Sequence, residues 1–272
     1  GIVMRHVKGK ILDFSELNLP GPLTQIAEFH RGLVLVTGTT GSGKSTTLAS
    51  VIDWINQRSR YHIVTLEDPI EFLHANKKSI ITQREINIDT KDFYSALRAA
   101  MREDPDVILI GEMRDAETFQ AAISAAETGH LVFSTLHTTN VMLTIDRIMD
   151  MFPSNMHDQI RSQLSMQLRA CVSQRLVPSA DGKGRIPAIE LMFNNPGIAS
   201  LIRENNIKQI PTAIVGGKED GMQSFNMSLA GLIKSGLIKE DVAFTYSDNP
   251  EELRMNLQGI YISSGRGGIL KK

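Results

Sequence analysis

Cysteine is all but missing: Cys171 is the only one in 272 residues. Disulfides within the chain and multi-cysteine zinc sites are therefore excluded. An excess of charge of either sign is missing too. There are 29 Lys and Arg against 30 Asp and Glu, a net charge of −1, so no electrostatic footprint marks nucleic acid as a partner. No apolar run approaches the ~18 residues of a membrane span. The strongest runs, residues 33–36 and Val107–Ile110, have the length of buried strands. No secretory signal opens the chain, which reads as cytoplasmic, and internal repeats and low-complexity blocks are absent. The first residue is Gly rather than Met, as in a fragment or a processed chain. What is there, 42% hydrophobic and 22% charged, is the composition of a folded globular protein, long enough to bury about 75% of its unfolded surface.

From residue 31 onward, short apolar runs alternate with helical stretches, the sign of an α/β fold with a mostly parallel sheet. Strands are predicted over residues 33–37, 62–66, 79–83, Val107–Ile110 and Leu131–Leu136, with helices over Lys44–Arg58, 90–102, 116–128 and 141–151. Asp89 or Thr90 suits the N-cap of the second helix, and Gly129 the position just past the third. Ile160, Leu164 and Leu168 make an i, i+4, i+8 stripe that predicts an amphipathic helix over 154–170. A hairpin follows, residues 171–177 and Arg185–Phe193 around the turn-rich 179–184. The domain reading is a linker over 1–30, with a short helical pattern at 23–29; an α/β core over 31–193; and a helical region over 194–272. Pro196, Pro211, Gly216-Gly217 and Pro250 break that last region, and a mobile tail is expected at 263–268.

Gly38-Thr39-Thr40-Gly41-Ser42-Gly43-Lys44-Ser45 fits G-x-x-x-x-G-K-[ST] between a predicted strand and a predicted helix. Glycines let consecutive backbone N–H groups point at a phosphate, and the helix N-terminus adds its positive dipole end. Lys44 is placed to reach the β and γ phosphates, and the Ser45 hydroxyl to hold Mg²⁺. The residues expected to bind ATP are Gly38, Thr40, Gly41, Ser42, Gly43, Lys44, Ser45 and Thr46. A chance match occurs in ~1% of chains this long, and here the flanking elements fit as well.

A phosphate loop of this kind needs a carboxylate near the metal, at the end of a neighbouring strand. Val107-Ile108-Leu109-Ile110-Gly111-Glu112 supplies one, and Glu112 is expected to support Mg²⁺, partly through water. A second acidic group follows another strand: Glu67, Asp68 and Glu71 crowd three carboxylates into five residues around Pro69, an arrangement that cations relieve. Taken alone, such a turn is more often a solvated loop. His137 closes the predicted strand Leu131–Leu136 and is followed by Thr138, Thr139 and Asn140; it is either structural or placed to sense the γ-phosphate or orient water. His130, at the strand's other end, reads as structural. Arg98, Arg102 and Arg114 are either surface residues or suited to the charge that develops on a transferring phosphoryl group. General P-loop chemistry favours Glu112 as the catalytic base.

In content and order these blocks resemble the secretion-ATPase superfamily, most closely the type IV pilus retraction ATPases, the PilT/PilU family. The resemblance rests on the Walker A loop GTTGSGKST, the Asp box IVTLEDPIEF, the Walker B block DPDVILIGEMRDAET and the His box TGHLVFSTLHTTN. It continues through Phe152-Pro153, Ser173-Gln174-Arg175-Leu176 and Gly221-Met222-Gln223. It implies a RecA-like P-loop ATPase core followed by a helical C-terminal region. It also implies Glu71 as catalytic base, Glu112 as the Walker B acid, His137 as the His-box residue and Arg114 among the catalytic set. The family works as a homohexameric ring at the cytoplasmic face of the inner membrane, acting on an inner-membrane pilus platform protein, in some systems beside a paralogous pilus ATPase. Members carry an N-terminal PAS-like domain, and this chain is expected to begin at the linker that follows it. The family's retraction helix reads AIRNLIRE; residues 197–204, GIASLIRE, keep its second half and one further isoleucine.

Two rivals stand beside this reading. Pilus-extension and type II secretion ATPases generally carry a four-cysteine zinc module after the His box, which one cysteine cannot build. A ring that binds ATP without hydrolysing it, regulating a partner motor, is the alternative of another class, and the complete set of acids speaks against it.

Overall fold

A strand covered on both faces leaves no room for polar alternation. Gly32–Thr37, Val107–Ile110 and Leu131–Leu136 carry no charged residue and are buried at every position. They form the middle of the sheet in a computed structural model that describes residues 9–261 and the backbone of 262, 269 and 270. In chain order the elements are β1 (Gly32–Thr37), α1 (Lys44–Arg58), β2 (His62–Glu67), β3 (Ile80–Glu85), α2 (Phe93–Ala100), β4 (Val107–Ile110), α3 (Ala116–Glu127), β5 (Leu131–Leu136), α4 (Val141–Met149) and α5 (His157–Gln167). Then come β6 (Leu168–Pro178), β7 (Arg185–Phe193), α6 (Pro196–Arg203), α7 (Ile210–Gly216), α8 (Phe225–Lys234), α9 (Glu240–Tyr246), α10 (Pro250–Leu257), β8 (Tyr261–Ile262) and β9 (Ile269–Leu270).

The main sheet has seven strands in the order β3-β2-β4-β5-β1-β6-β7. All its pairings are parallel except the β6–β7 hairpin. The α/β class with a mostly parallel sheet is thus observed. Register brings the functional strand ends to one edge: Thr37 sits opposite Leu136, and Ile110 lies between Leu66 and Ser134. The residues that follow, Gly38, His137, Gly111-Glu112 and Glu67-Asp68, therefore emerge side by side, where an open α/β sheet receives its ligand.

Several predicted boundaries move. Helix α2 starts at Phe93, not residue 90, because Asp92 caps it by accepting from the Ser95 N–H at 2.7 Å. Asp89 instead accepts from the Glu85 N–H and closes the turn after β3. The helix predicted over 154–170 ends at Gln167, and Leu168 opens β6 beside Leu33 of β1. The free edge of β1 wins that residue, since strand pairing outweighs a continuing amphipathic stripe. The prolines at 196, 211 and 250 lie in the first turns of α6, α7 and α10, where a missing N–H costs nothing.

The domain boundaries look different in the packing. Within the expected linker, a 3-10 turn at Gly21–Ala27 buries Leu23 and Ile26 completely in the main core. That core also takes in Ile198, Ile202, Ile210, Ile214 and Met222, well beyond residue 193. A second, smaller core joins Phe225, Leu229, Ala230, Ile238, Ala243 and Leu253 to Val177 and Ala188 of the hairpin. The tail expected to be mobile, 263–268, lies outside the described residues.

Candidate active site

A cleft of about 390 Å³ opens along the strand ends. Its walls bring together Thr40, Gly41, Lys44 and Ser45 from the phosphate loop, Glu67, Asp68 and Glu71 from the Asp box, Glu112 and Arg114 after β4, and His137 after β5. Thr46, one residue further into α1, is half-buried and does not line it; nor do Gly38, Ser42 and Gly43, which form the buttressed back of the loop.

Tight approach explains two of the glycines. Gly38 has φ +146°, and a Cβ there would come within 2.4 Å of the Gln174 carbonyl oxygen and of Ser42 Oγ. Gly43, at φ +92°, would drive a Cβ to 2.6 Å from Gln174 Nε2. The left-handed turn at Gly43 lets the 15-residue α1 begin with its free N–H groups facing the cleft. Lys44 is buried, and its ammonium donates to the Gly38 and Thr39 carbonyls at 2.8 and 3.2 Å. Burial pulls its pKa below the ordinary value, while the carboxylates of Glu112 and Glu71 pull it back up. The loop thus presents a buried cation at the cleft wall, with the carboxylates of Glu112 and Glu71 near enough to act on its charge.

The three acids of the Asp box are not equivalent. Glu67 accepts from Thr65 Oγ1 at 2.7 Å and from Gln83 Nε2 at 3.0 Å, so it is tied to its own sheet. Burial raises its pKa, against those bonds. Glu71 is exposed on the cleft wall, past Pro69, whose peptide bond with Asp68 is cis. The spacing of the acids hid this division of labour, because it depends on Gln83 from the neighbouring strand.

Glu112 is largely covered, with 12% of its side chain exposed, and holds two partners. One oxygen is ion-paired with Arg114; the other meets His137 Nε2 at 3.3 Å. The strand ends of β4 and β5 are thus joined directly through the Glu112 carboxylate and the His137 imidazole. Arg98 lies against the Tyr94 ring on α2, away from the cleft, and Arg102 does not line it either. His130 Nδ1 bonds the Ala125 carbonyl at 2.9 Å, a helix-end contact.

Three neighbours escaped the sequence reading. His74 lines the cleft, and burial pushes its pKa down to about 4, so it is neutral at pH 7. Glu190 of β7 is buried and accepts from the Val141 N–H at 2.7 Å, capping α4 just beyond the His box. Gln174 fills the space under the phosphate loop. Only Gln174 had a signal in the sequence, as part of a resemblance block, and nothing in its residue type announced its place.

The cleft suits a nucleoside triphosphate with Mg²⁺. Among the described residues no three His, Cys, Asp or Glu converge into a cage that would hold a metal unaided. Ser45 and Glu112 offer two hard oxygen ligands beside the phosphate loop, the sparse set that Mg²⁺ accepts when phosphates and water complete its octahedron.

Sheet order, phosphate loop and strand-end acids together define a P-loop nucleoside triphosphatase of the RecA-like kind. Residues 3–222 match the family of type II/IV secretion system proteins. The chain is 50% identical over 251 residues to a twitching motility protein of Neisseria gonorrhoeae, spanning 92% of this chain and 67% of that one. To the type IV pilus retraction ATPase PilT of Pseudomonas aeruginosa it is 49% identical, spanning 73% of that protein. A crystal structure of the pilus retraction motor PilT with bound ADP superimposes with a TM-score of 0.85 at 50% identity, covering 92% of this chain and 71% of that one. This chain belongs to the type II/IV secretion system family, in its PilT/PilU branch.

Proposed function

We propose that this chain is the ATP-hydrolysing motor of a type IV pilus system and powers pilus retraction. The observation that carries the reading is the convergence of Lys44, Ser45, Glu71, Glu112 and His137 on one cleft. Water attacks the γ-phosphorus in line; the bond from γ-phosphorus to the β–γ bridging oxygen breaks, and ADP and inorganic phosphate leave. Glu71, the exposed carboxylate on the cleft wall, positions the water and takes its proton. Lys44 and the loop amides stabilise the charge that gathers on the phosphate oxygens. Mg²⁺, held by Ser45 and Glu112, would neutralise the β and γ oxygens when bound. His137 ties Glu112 to the end of β5, so that strand registers what occupies the metal side of the cleft.

The same reading places the chain in a homohexameric ring at the cytoplasmic face of the inner membrane, acting on a pilus platform protein, with or without a paralogous ATPase. Among the described residues, no helix is long and apolar enough to cross a membrane. The single cysteine argues for retraction over the zinc-bearing secretion ATPases. A steady-state phosphate-release assay with Mg²⁺ and ATP tests the function. Turnover in the parent that Lys44→Ala removes is the expected result; ATP binding without phosphate release would instead identify a regulatory ring.

A further inference from the structure

We infer that Gln174 is the positioning residue that holds the phosphate loop in its nucleotide-receiving shape. This rests on the reading of the cleft as an ATP site. Gln174 lies in β6, next to β1, and is 2% exposed. Both ends of its side-chain amide are bonded, and both partners belong to the loop and its helix. Nε2 donates to the Ser42 carbonyl at 2.8 Å, and Oε1 accepts from Thr47 Oγ1 at 2.8 Å. Ser42 and Thr47 bracket Gly43-Lys44-Ser45-Thr46, the turn that carries Lys44 and Ser45 to the cleft wall.

A single rigid amide therefore fixes the distance between the loop and the first turn of α1. A carbonyl that points back at Gln174 cannot point into the cleft, and each peptide whose oxygen is held behind the loop presents the following N–H towards the front. Ser42's peptide unit carries the Gly43 N–H. Sterics agree at Gly43, where a Cβ would come within 2.6 Å of Gln174 Nε2; at Gly38 it would meet the Gln174 backbone carbonyl oxygen at 2.4 Å, so β6 itself packs close behind the loop. The neighbouring residue on β6 makes an equivalent bond one step earlier, Ser173 Oγ to Thr37 Oγ1 at 2.8 Å, at the end of the strand that feeds the loop. The strand beyond is anchored in turn. Arg175 is ion-paired with Asp248, donates to the Tyr246 carbonyl at 3.1 Å and stacks 4.2 Å over the Phe225 ring. Gln174 is thus held from behind by the smaller core while it shapes the loop in front. Packing alone would call for an apolar side chain here. An amide with both ends bonded to the loop is the choice that sets its conformation.

Gln174→Met keeps the length and removes both bonds; Thr47→Val removes one. The test is equilibrium binding of fluorescently labelled ADP with Mg²⁺ to each purified protein, with thermal melting as the check on folding. Gln174→Met is expected to weaken ADP binding about tenfold, equivalent to about 1.4 kcal/mol, and Thr47→Val by less. The double variant is expected to be no weaker than Gln174→Met alone, since the shared bond is already gone. In turnover, KM for ATP rises by a larger factor than kcat falls, because a misshapen loop loses ground-state phosphate contacts first. An ADP affinity within twofold of the parent in folded Gln174→Met overturns the inference. Should that variant not fold, Thr47→Val decides: weakened binding supports the inference and unchanged binding overturns it. Lys44→Ala separates the two levels. If Lys44→Ala leaves ADP affinity intact, the ATP-site reading falls; if it abolishes binding while Gln174→Met does not weaken it, only the role of Gln174 falls.

Discussion

Glu71 and Glu112 look into one cleft from the ends of different strands, and what surrounds them suggests different work. Glu112 has both oxygens engaged, by Arg114 and by His137; a group so occupied is suited to hold and orient. Glu71 is exposed and is a coulombic partner of Lys44, which leaves its carboxylate open to water. Glu71→Gln is therefore expected to lower kcat by about 10²–10⁴-fold while ADP and ATP affinities stay within a few-fold, read by phosphate release and equilibrium binding. Turnover kept in Glu71→Gln but lost in Glu112→Gln would exchange their roles. At this scale the sequence was informative wherever a residue's chemistry follows from its neighbours along the chain, as for Lys44 behind its glycines. It was silent where the partner comes from another strand. Glu67 could not be told from Glu71 without Gln83 beside it, and Gln174 could not be placed under the loop without knowing that β6 pairs with β1.

The elements show where local signals prevail and where they yield. Strands β4 and β5 and helix α1 lie where their periodicity put them, because apolar runs of that length have no other stable home between two layers of helix. Asp89 or Thr90 was expected to cap α2, but Asp92 does so and Asp89 closes the turn after β3. Helix α4 adds a cap that no local pattern encodes: Glu190 reaches across from β7 to the Val141 N–H. Burial, with Asp248 and Glu252 nearby, raises this carboxyl to about 7, against the Val141 bond and Arg175. A carboxyl whose folded pKa lies above its unfolded value costs stability once it must ionise in place. The folded state binds the extra proton between about pH 4.5 and 7, so stability declines as pH rises through that window. Glu190→Gln keeps an acceptor for Val141 without the charge. It should exceed the parent in stability by on the order of 3 kcal/mol at pH 8, with the gap closing by pH 5. Urea denaturation at several pH values measures this; a gap that does not narrow on acidification would contradict it.

On the scale of the whole molecule, the cleft is short of positive charge for phosphoryl transfer. Arg114 is the one arginine lining it among the described residues, and Glu112 already holds that side chain. A transferring γ-phosphoryl group needs further cationic help at its equatorial oxygens, which in a ring can come from the neighbouring copy. Specific ATPase activity is accordingly expected to rise with protein concentration across the range where sedimentation shows assembly. Activity per subunit independent of concentration, down to the monomer, would refute a shared site. The alternation of short strands and helices made the α/β class and the parallel sheet legible. The extent of the core was not, because Leu23, Ile26 and the isoleucines of 198–214 declare their loyalty only through long-range packing.

The seam between the two hydrophobic cores carries a mechanical implication. The last helices grip the body through the far tip of one hairpin, Val177 and Ala188, and through the Arg175–Asp248 pair. A pull on that lobe is delivered to β6, one residue from the amide beneath the phosphate loop. Deuterium uptake should therefore be quick in α9 and α10 and slow in β1 and β5. Bound ADP should slow it in the lobe as well as at the loop, and a lobe indifferent to nucleotide would mean that the strand transmits no load.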